Sequence, residues 1–222
     1  YWPRFAQLAK SPGSPQMYNV IFMTCDGCPP LPGLHYTFGE ADDYAGKALR
    51  LAREDSAIRN VVLAALWPNS LSPTAHYNIE KFTYADGTSE IFMDKLRAYI
   101  KDFVALGKNV YLILSIPFGD EFDPKYLLAS PLRKKQSNGL DRAVLEGRNN
   151  FAEIQADLER VGREAGATVI NPLDFLCSGR RCEALDGAGN PIYFDDAHLR
   201  ASYVRRQVNW LDETVFPSAS GP

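Results

Sequence analysis

Apolar positions along the 222-residue chain switch between two periods, short continuous runs and helical stripes. Residues 18–24 (YNVIFMT) and 110–116 (VYLILSI) read as apolar strands. Residues 60–67 (NVVLAALW) form an unbroken run of the kind seen in parallel strands buried on both faces. A shorter strand is expected over 167–171. Between these runs the spacing becomes helical. Tyr44, Ala48, Leu49 and Ala52 share one face of a helix over about 41–55. Phe92, Leu96, Tyr99 and Phe103 do so over 89–106, a helix with Ser89 read as its cap and Gly107 as its stop. Phe151, Ile154, Leu158, Val161 and Ala165 mark a further helix closed by Gly166, and Val204, Val208, Leu211 and Val215 a last one. Residues 117–147 show no period and are expected to be irregular. The order β-α-β-α-β-α-β-α predicts an α/β fold with a parallel sheet covered on both faces by right-handed crossovers.

The start of the chain breaks that pattern. Residues 2–9 read as a helix with Pro3 in its first turn, and no strand precedes it. In doubly wound sheets the first strand is usually central, and ligands bind at its C-terminal end. A sheet lacking it would leave backbone groups unpaired on both sides of the gap. A first strand and its turn are therefore expected upstream of Tyr1.

Composition bounds the class. Hydrophobic residues are 45% of the chain, aromatics 12% and charged residues 23%, which fits a packed globular domain and excludes collagen, coiled coil and wholesale disorder. One domain over 1–222 is expected at this length. The longest apolar run, 60–68, falls far short of the roughly twenty residues that cross a bilayer. No basic, apolar and cleavable leader opens the chain. A formal net charge of −3 supplies no positive field for a phosphate backbone, so nucleic acid is not an expected partner.

Four cysteines come as two close pairs. Cys177 and Cys182 flank a short polar segment that can close as a small disulfide loop. Cys25 and Cys28 have redox-type spacing but run into Pro29-Pro30, not into a helix that would activate a thiol. Zinc held by all four remains the metal alternative. Disulfide chemistry in an oxidising compartment is the favoured reading.

The strongest chemical signal is Tyr193-Phe194-Asp195-Asp196-Ala197-His198-Leu199-Arg200. An aspartate three residues before a histidine, at the start of a helix, can orient an imidazole that then works as a general base on a hydroxyl. Equally, either aspartate could cap the last helix and His198 be a first-turn residue. Spacing alone does not separate the two.

Together with Asp174-Phe175-Leu176-Cys177 and the second cysteine, the block Tyr-x-Asp-Asp-x-His-Leu resembles the C-terminal motif of SGNH hydrolase-like domains. More narrowly, it resembles those fused behind the membrane acyltransferase-three domain in bacterial O-acetyltransferases of lipopolysaccharide O-antigen and other surface glycans. Residues 24–31 (TCDGCPPL) and 61–67 (VVLAALW) match that subfamily in order and spacing. The resemblance implies a three-layer α/β/α sandwich with a parallel sheet. It implies a serine nucleophile in a Gly-Asp-Ser-His turn after the first strand, which does not occur in this sequence and is expected before Tyr1. Asp195 and His198 complete the implied triad, with Asp195 orienting and Asp196 free to cap the last helix.

Most members of that family build the oxyanion hole from a glycine N–H after the second strand and an asparagine after the third. Gly27 and Asn69 stand nearest those roles here, although Asn69 follows Trp67-Pro68 and is offset from the family's pattern; both can equally be turn residues. Trp67 can line an acyl or sugar site or pack in the core. His35 and His76 have no ligand partners at metal spacing, and no metal or cofactor is expected. Arg133-Lys134-Lys135 reads as a solvated patch that can also meet an acidic glycan. Two classes remain open. One is a serine-dependent O-acetyltransferase or acetyl esterase on the periplasmic side of the inner membrane, taking acetyl from a membrane acyltransferase domain and giving it to a glycan hydroxyl. The other is a noncatalytic module that binds or positions glycan.

Overall fold

The structure is a computed structural model that describes residues 1–10, 18–24, 29–32, 43–71, 88–128, 139–148 and 150–216. It divides into two compact units, one of Phe22–Ser115 with Glu146–Asn171, the other of Tyr1–Ile21, Ile116–Leu145 and Pro172–Pro222.

The first of these holds the parallel sheet. Strands β1 (Asn60–Ala64), β2 (Asn109–Ile113) and β4 (Thr168–Ile170) lie in the order β1-β2-β4. Asn60 sits opposite Asn109 and Ala64 opposite Ile113, and Tyr111 opposite Thr168 on the other edge of β2. Helices α4 (Ser89–Ala105) and α7 (Phe151–Glu164) bury the expected stripes, whereas α2 (Tyr44–Glu54) buries Ala45, Gly46 and Ala52 and leaves Tyr44, Ala48 and Leu49 of its expected face half-buried. Phe92, Leu96, Ile100 and Phe103 of α4 and Ile154, Leu158 and Val161 of α7 are fully buried in one core with Leu63, Val110 and Leu112 of the strands. Each such side chain contributes about 1.5–3 kcal/mol by leaving water. Gly162 permits the close seat of α7, since a Cβ there would stand 2.7 Å from Leu112 and 3.0 Å from Val169. An α/β fold with a parallel sheet is what the sequence led us to expect.

Several boundaries move. Asp43 caps α2 by accepting from the N–H of Gly46, but α4 is entered from Thr88 without a side-chain cap, and Ser89 is its first helical residue. The run 60–67 ends as a strand at Ala64, and Trp67–Leu71 is a short helix, α3, with Pro68 in its first turn where its missing N–H costs nothing. Residues 18–24 are not a strand. The Tyr18 N–H goes to the carbonyl of Val215, and Ile21 and Phe22 are exposed. An apolar run becomes a strand only with a ladder partner, and none stands beside it among the described residues. The three-residue β4 and five-residue β2 are shorter than read: the last ladder bond runs from the Leu114 N–H to the Ile170 carbonyl at 2.9 Å, and Ser115 leaves the ladder.

Ser115 is instead held by a side chain. The amide of Gln155 on α7 accepts from the Ser115 N–H and donates to its carbonyl, both at 3.1 Å, standing in for a strand neighbour. Gln155→Ala is expected to destabilise the fold by about 1–3 kcal/mol for each buried group so orphaned. A urea unfolding curve would read this as a lower midpoint at unchanged slope.

In the other unit, α1 (Trp2–Leu8) packs on α9 (Ala201–Gln207), and the Arg4 guanidinium grips the Asp212 carboxylate and donates to the Arg205 carbonyl. The last helix stops at Gln207 and resumes as a 3-10 segment, Asn209–Thr214, so that Val204, Val208, Leu211 and Val215 still all point inward. Residues 117–147, expected to be irregular, contain α5 (Pro124–Leu128), β3 (Leu140–Asp141) and α6 (Arg142–Glu146). After α8 (Leu173–Leu176), strands β5 (Cys177–Ser178) and β6 (Arg181–Cys182) form a tight hairpin, and β3 adds to it to give a small antiparallel sheet in the order β3-β6-β5.

Cys177 and Cys182 are directly opposite in that hairpin and are joined by a disulfide. Neither sulfur is left as a thiolate for zinc, which removes the four-cysteine metal site. The ring it closes is short, so its chain-entropy contribution is modest, about 2 kcal/mol. A double Cys177→Ala, Cys182→Ala variant is expected to lose about that amount of unfolding stability relative to the unaltered protein, read from urea unfolding of both without reductant.

Candidate active site

The block from Tyr193 to Leu199 is a small β-hairpin and not the start of a helix. Tyr193 and Leu199 pair antiparallel, the Arg200 N–H goes to the Ile192 carbonyl, and the Phe194 N–H goes to the His198 carbonyl at 2.7 Å. Asp195, Asp196 and Ala197 form the turn. Its geometry is set by Asp195, whose Oδ1 accepts from the N–H groups of Ala197 (2.9 Å) and His198 (2.7 Å). This is the local side-chain turn that aspartate favours.

The same carboxylate faces the imidazole. Nδ1 of His198 lies 3.0 Å from Oδ1 and 2.9 Å from Oδ2 of Asp195. A carboxylate can only accept, so in the neutral ring Nδ1 carries the hydrogen and Nε2 the lone pair. The His198 side chain is 78% exposed, so the lone-pair edge is accessible, while that of Asp195 is only 37% exposed. Partial burial pulls the Asp195 carboxyl upward, but hydrogen bonds from the Ala197 amide, the His198 ring and the His198 amide outweigh it, and its pKa ends below the ordinary aspartate value.

What holds the hairpin comes from a distant part of the sequence. The Tyr193 ring is fully buried and packs on Phe122 with 4.8 Å between centroids, and burial drives its phenol pKa well above the ordinary value. Gly119, at φ 128°, a conformation side chains resist, gives its N–H to the Asp196 carbonyl at 2.8 Å. Next to them Asp123 is almost fully buried, its carboxylate accepting from the backbone N–H and the ammonium of Lys125. The Lys125 hydrogen bond holds that carboxyl below its usual range, with burial and, less, the Asp195 charge opposing. Sequence reasoning missed this brace, for which the turn-rich Gly119-Asp120-Glu121-Phe122-Asp123-Pro124 directly after an apolar strand was the available signal.

The remaining candidates fall elsewhere. Asp196 does not cap the last helix. Leu199 and Arg200 first pair back onto the hairpin, so α9 begins at Ala201 with Arg200 at its cap position and no side-chain cap. Trp67 is fully buried, edge-on to Phe92, with Nε1 donating to the Ile113 carbonyl at 2.8 Å, so core packing occupies the ring that an acyl or sugar site would need. Asn69 is exposed on α3, its N–H bonded to the Leu66 carbonyl at 3.0 Å. Gly27, Cys25, Cys28, His35, His76 and Arg133-Lys134-Lys135 lie outside the described residues. Among the described residues no three His, Cys, Asp or Glu side chains gather as a metal site, and no helix is long and apolar enough to cross a membrane.

The chain is similar in structure to the periplasmic domain of a lipopolysaccharide acetyltransferase from Salmonella ser. Paratyphi A, at a TM-score of 0.54 and 15% identity, over 83% of this chain and 67% of that one. At that identity the likeness speaks for the fold. No curated protein matches the chain. Residues 5–209 match the family model of the SGNH domain fused to AT3 domains, which takes in the Asp195–His198 hairpin and nearly all of the sequence, and the chain belongs to that family.

Proposed function

We propose that this domain carries the general base and its orienting carboxylate for acyl transfer through a serine acyl-enzyme, moving acetyl to a glycan hydroxyl. The observation that supports the reading is the contact of both Asp195 oxygens with Nδ1 of His198, which turns the Nε2 lone pair outward. Membership of the SGNH family supports acyl chemistry as the class. In this reading the nucleophile is the serine of the family turn expected upstream of Tyr1. Nε2 takes the serine proton as Oγ bonds to the donor carbonyl carbon, and returns it to the departing group as the acyl bond to the donor breaks. In the second half Nε2 takes the proton of the acceptor hydroxyl as its oxygen attacks the acyl-serine. The serine leaves and recovers that proton. Asp195 keeps its charge throughout and stabilises the imidazolium formed in each half.

Fusion to AT3 domains in the family supports a membrane acyltransferase domain as the source of acetyl. The disulfide, which persists in oxidising compartments, supports a periplasmic setting, as does the periplasmic domain of the Salmonella neighbour. The family match runs across both compact units, which supports reading 1–222 as one SGNH domain. Water in place of the sugar hydroxyl would make the same machinery an esterase.

The test is covalent trapping. Full-length protein mixed with excess 4-nitrophenyl acetate and quenched in acid is expected to carry one acetyl group on a serine, located by peptide mass spectrometry. The His198→Ala protein is expected to carry none. Absence of any acetyl-serine in the unaltered protein would leave a glycan-binding module as the reading.

A further inference from the structure

Phe194 is the most exposed of the large hydrophobic side chains among the described residues, at 72%. A single exposed apolar residue is ordinary and by itself carries nothing. Its partner is what distinguishes it. In the hairpin Tyr193 pairs with Leu199 and the Phe194 N–H bonds the His198 carbonyl, so Phe194 and His198 stand directly opposite each other. Directly opposed residues in an antiparallel pair project from the same face, with Cβ atoms about 4.5–5.5 Å apart. Alternation sends Tyr193 to the other face, where it is buried on Phe122. The outward face of the turn thus presents an imidazole and an unburied phenyl ring side by side.

We propose that Phe194 is the platform for the acceptor, a pyranose whose ring rests on the phenyl face while one of its hydroxyls reaches Nε2 of His198. This rests on the acyl-transfer reading above. A hydroxyl to be deprotonated must come within about 2.6–3.2 Å of Nε2. The carbon framework behind that hydroxyl then falls within the roughly 4–4.5 Å contact range of a side chain opposite His198. Aromatic faces carry negative charge density and sugar C–H edges carry positive, so the two match where a purely polar wall would not. Trp67, which the sequence left open as such a surface or as core, is fully buried, whereas Phe194 is exposed opposite the base.

The test measures partition of acetyl. Full-length protein is given 4-nitrophenyl acetate and the producing bacterium's surface polysaccharide after base de-O-acetylation, and acetyl on polysaccharide is counted against acetate released to water. Phe194→Ala is expected to shift the ratio toward water by about three- to tenfold, chiefly by raising the polysaccharide concentration needed for half-maximal transfer. Phe194→Tyr, which keeps the aromatic face, is expected to retain the ratio of the unaltered protein. An unchanged ratio in Phe194→Ala, or an equal loss in Phe194→Tyr, would overturn the platform. If the unaltered protein places no acetyl on the polysaccharide, the transfer reading itself fails, which is a different result from an insensitive Phe194.

Discussion

Replacing His198 with alanine in the full-length protein is expected to lower turnover of an acetyl ester by about 10⁴–10⁶-fold, since base, nucleophile and orienting acid act as a unit and loss of the base alone removes most of their joint effect. Folding should survive. The ring is 78% exposed and its hydrogen bonds go to Asp195, while the backbone of the hairpin is closed by the Phe194 N–H and by Asp195 bonding to main-chain amides. The measurement is initial-rate hydrolysis of 4-nitrophenyl acetate beside a melting curve of the same preparation. Turnover within tenfold of the unaltered protein, at an unchanged melting temperature, would remove His198 from the chemistry. The expected fall would be uninformative only if the melting curve also collapsed, and the exposure of the ring argues against that.

The parts of this molecule that were legible in its sequence are those fixed by near neighbours along the chain. The stripes of Phe92, Leu96 and Phe103, and of Ile154, Leu158 and Val161, recur at 3.6-residue spacing and end as buried faces of α4 and α7. The Asp195–His198 contact also joins near neighbours, but spacing left it level with a helix cap and only the family resemblance favoured it; a turn and not a helix brings the two together. What could not be read depends on partners far along the chain. Residues 18–24 have the composition of a strand, but composition does not provide the ladder neighbour that makes one. Trp67 has an aromatic face suited to sugar, and nothing local reveals that the Ile113 carbonyl and Phe92 occupy it. Gly119 and Phe122 support the hairpin from more than seventy residues away, through one hydrogen bond and one ring contact that no local pattern encodes.

Asp195→Asn separates orientation from mere presence of the histidine, and its effect follows from the hydrogen bonds already made. Oδ1 accepts from both turn amides as well as facing the ring. In the variant the amide oxygen is expected to stay with those two donors, since turning it away would leave the amide NH2 group facing two N–H donors. The NH2 group then points at Nδ1. Facing a donor, Nδ1 must supply the lone pair, and the ring hydrogen moves to Nε2, the atom that has to accept a proton. Turnover is therefore expected to fall by about 10⁴-fold with the turn intact. Nitrogen NMR of the His198 ring should show the hydrogen on Nε2 in the variant and on Nδ1 in the unaltered protein. Asp196→Ala is the control, because this residue joins the hairpin through its carbonyl, which the substitution keeps. It is expected to stay within a few-fold of full turnover. Stability carries a matching signature of known sign. Because the Asp195 carboxyl is held below its ordinary pKa when folded, its charge stabilises the folded state above the ordinary aspartate value, and that contribution is lost as pH falls through the lowered one. The gap in melting temperature between the unaltered protein and Asp195→Asn should accordingly be widest near neutral pH and shrink in acid. A gap independent of pH, or an Asp196→Ala protein as inactive as Asp195→Asn, would mean that Asp195 is not the carboxylate that orients the base.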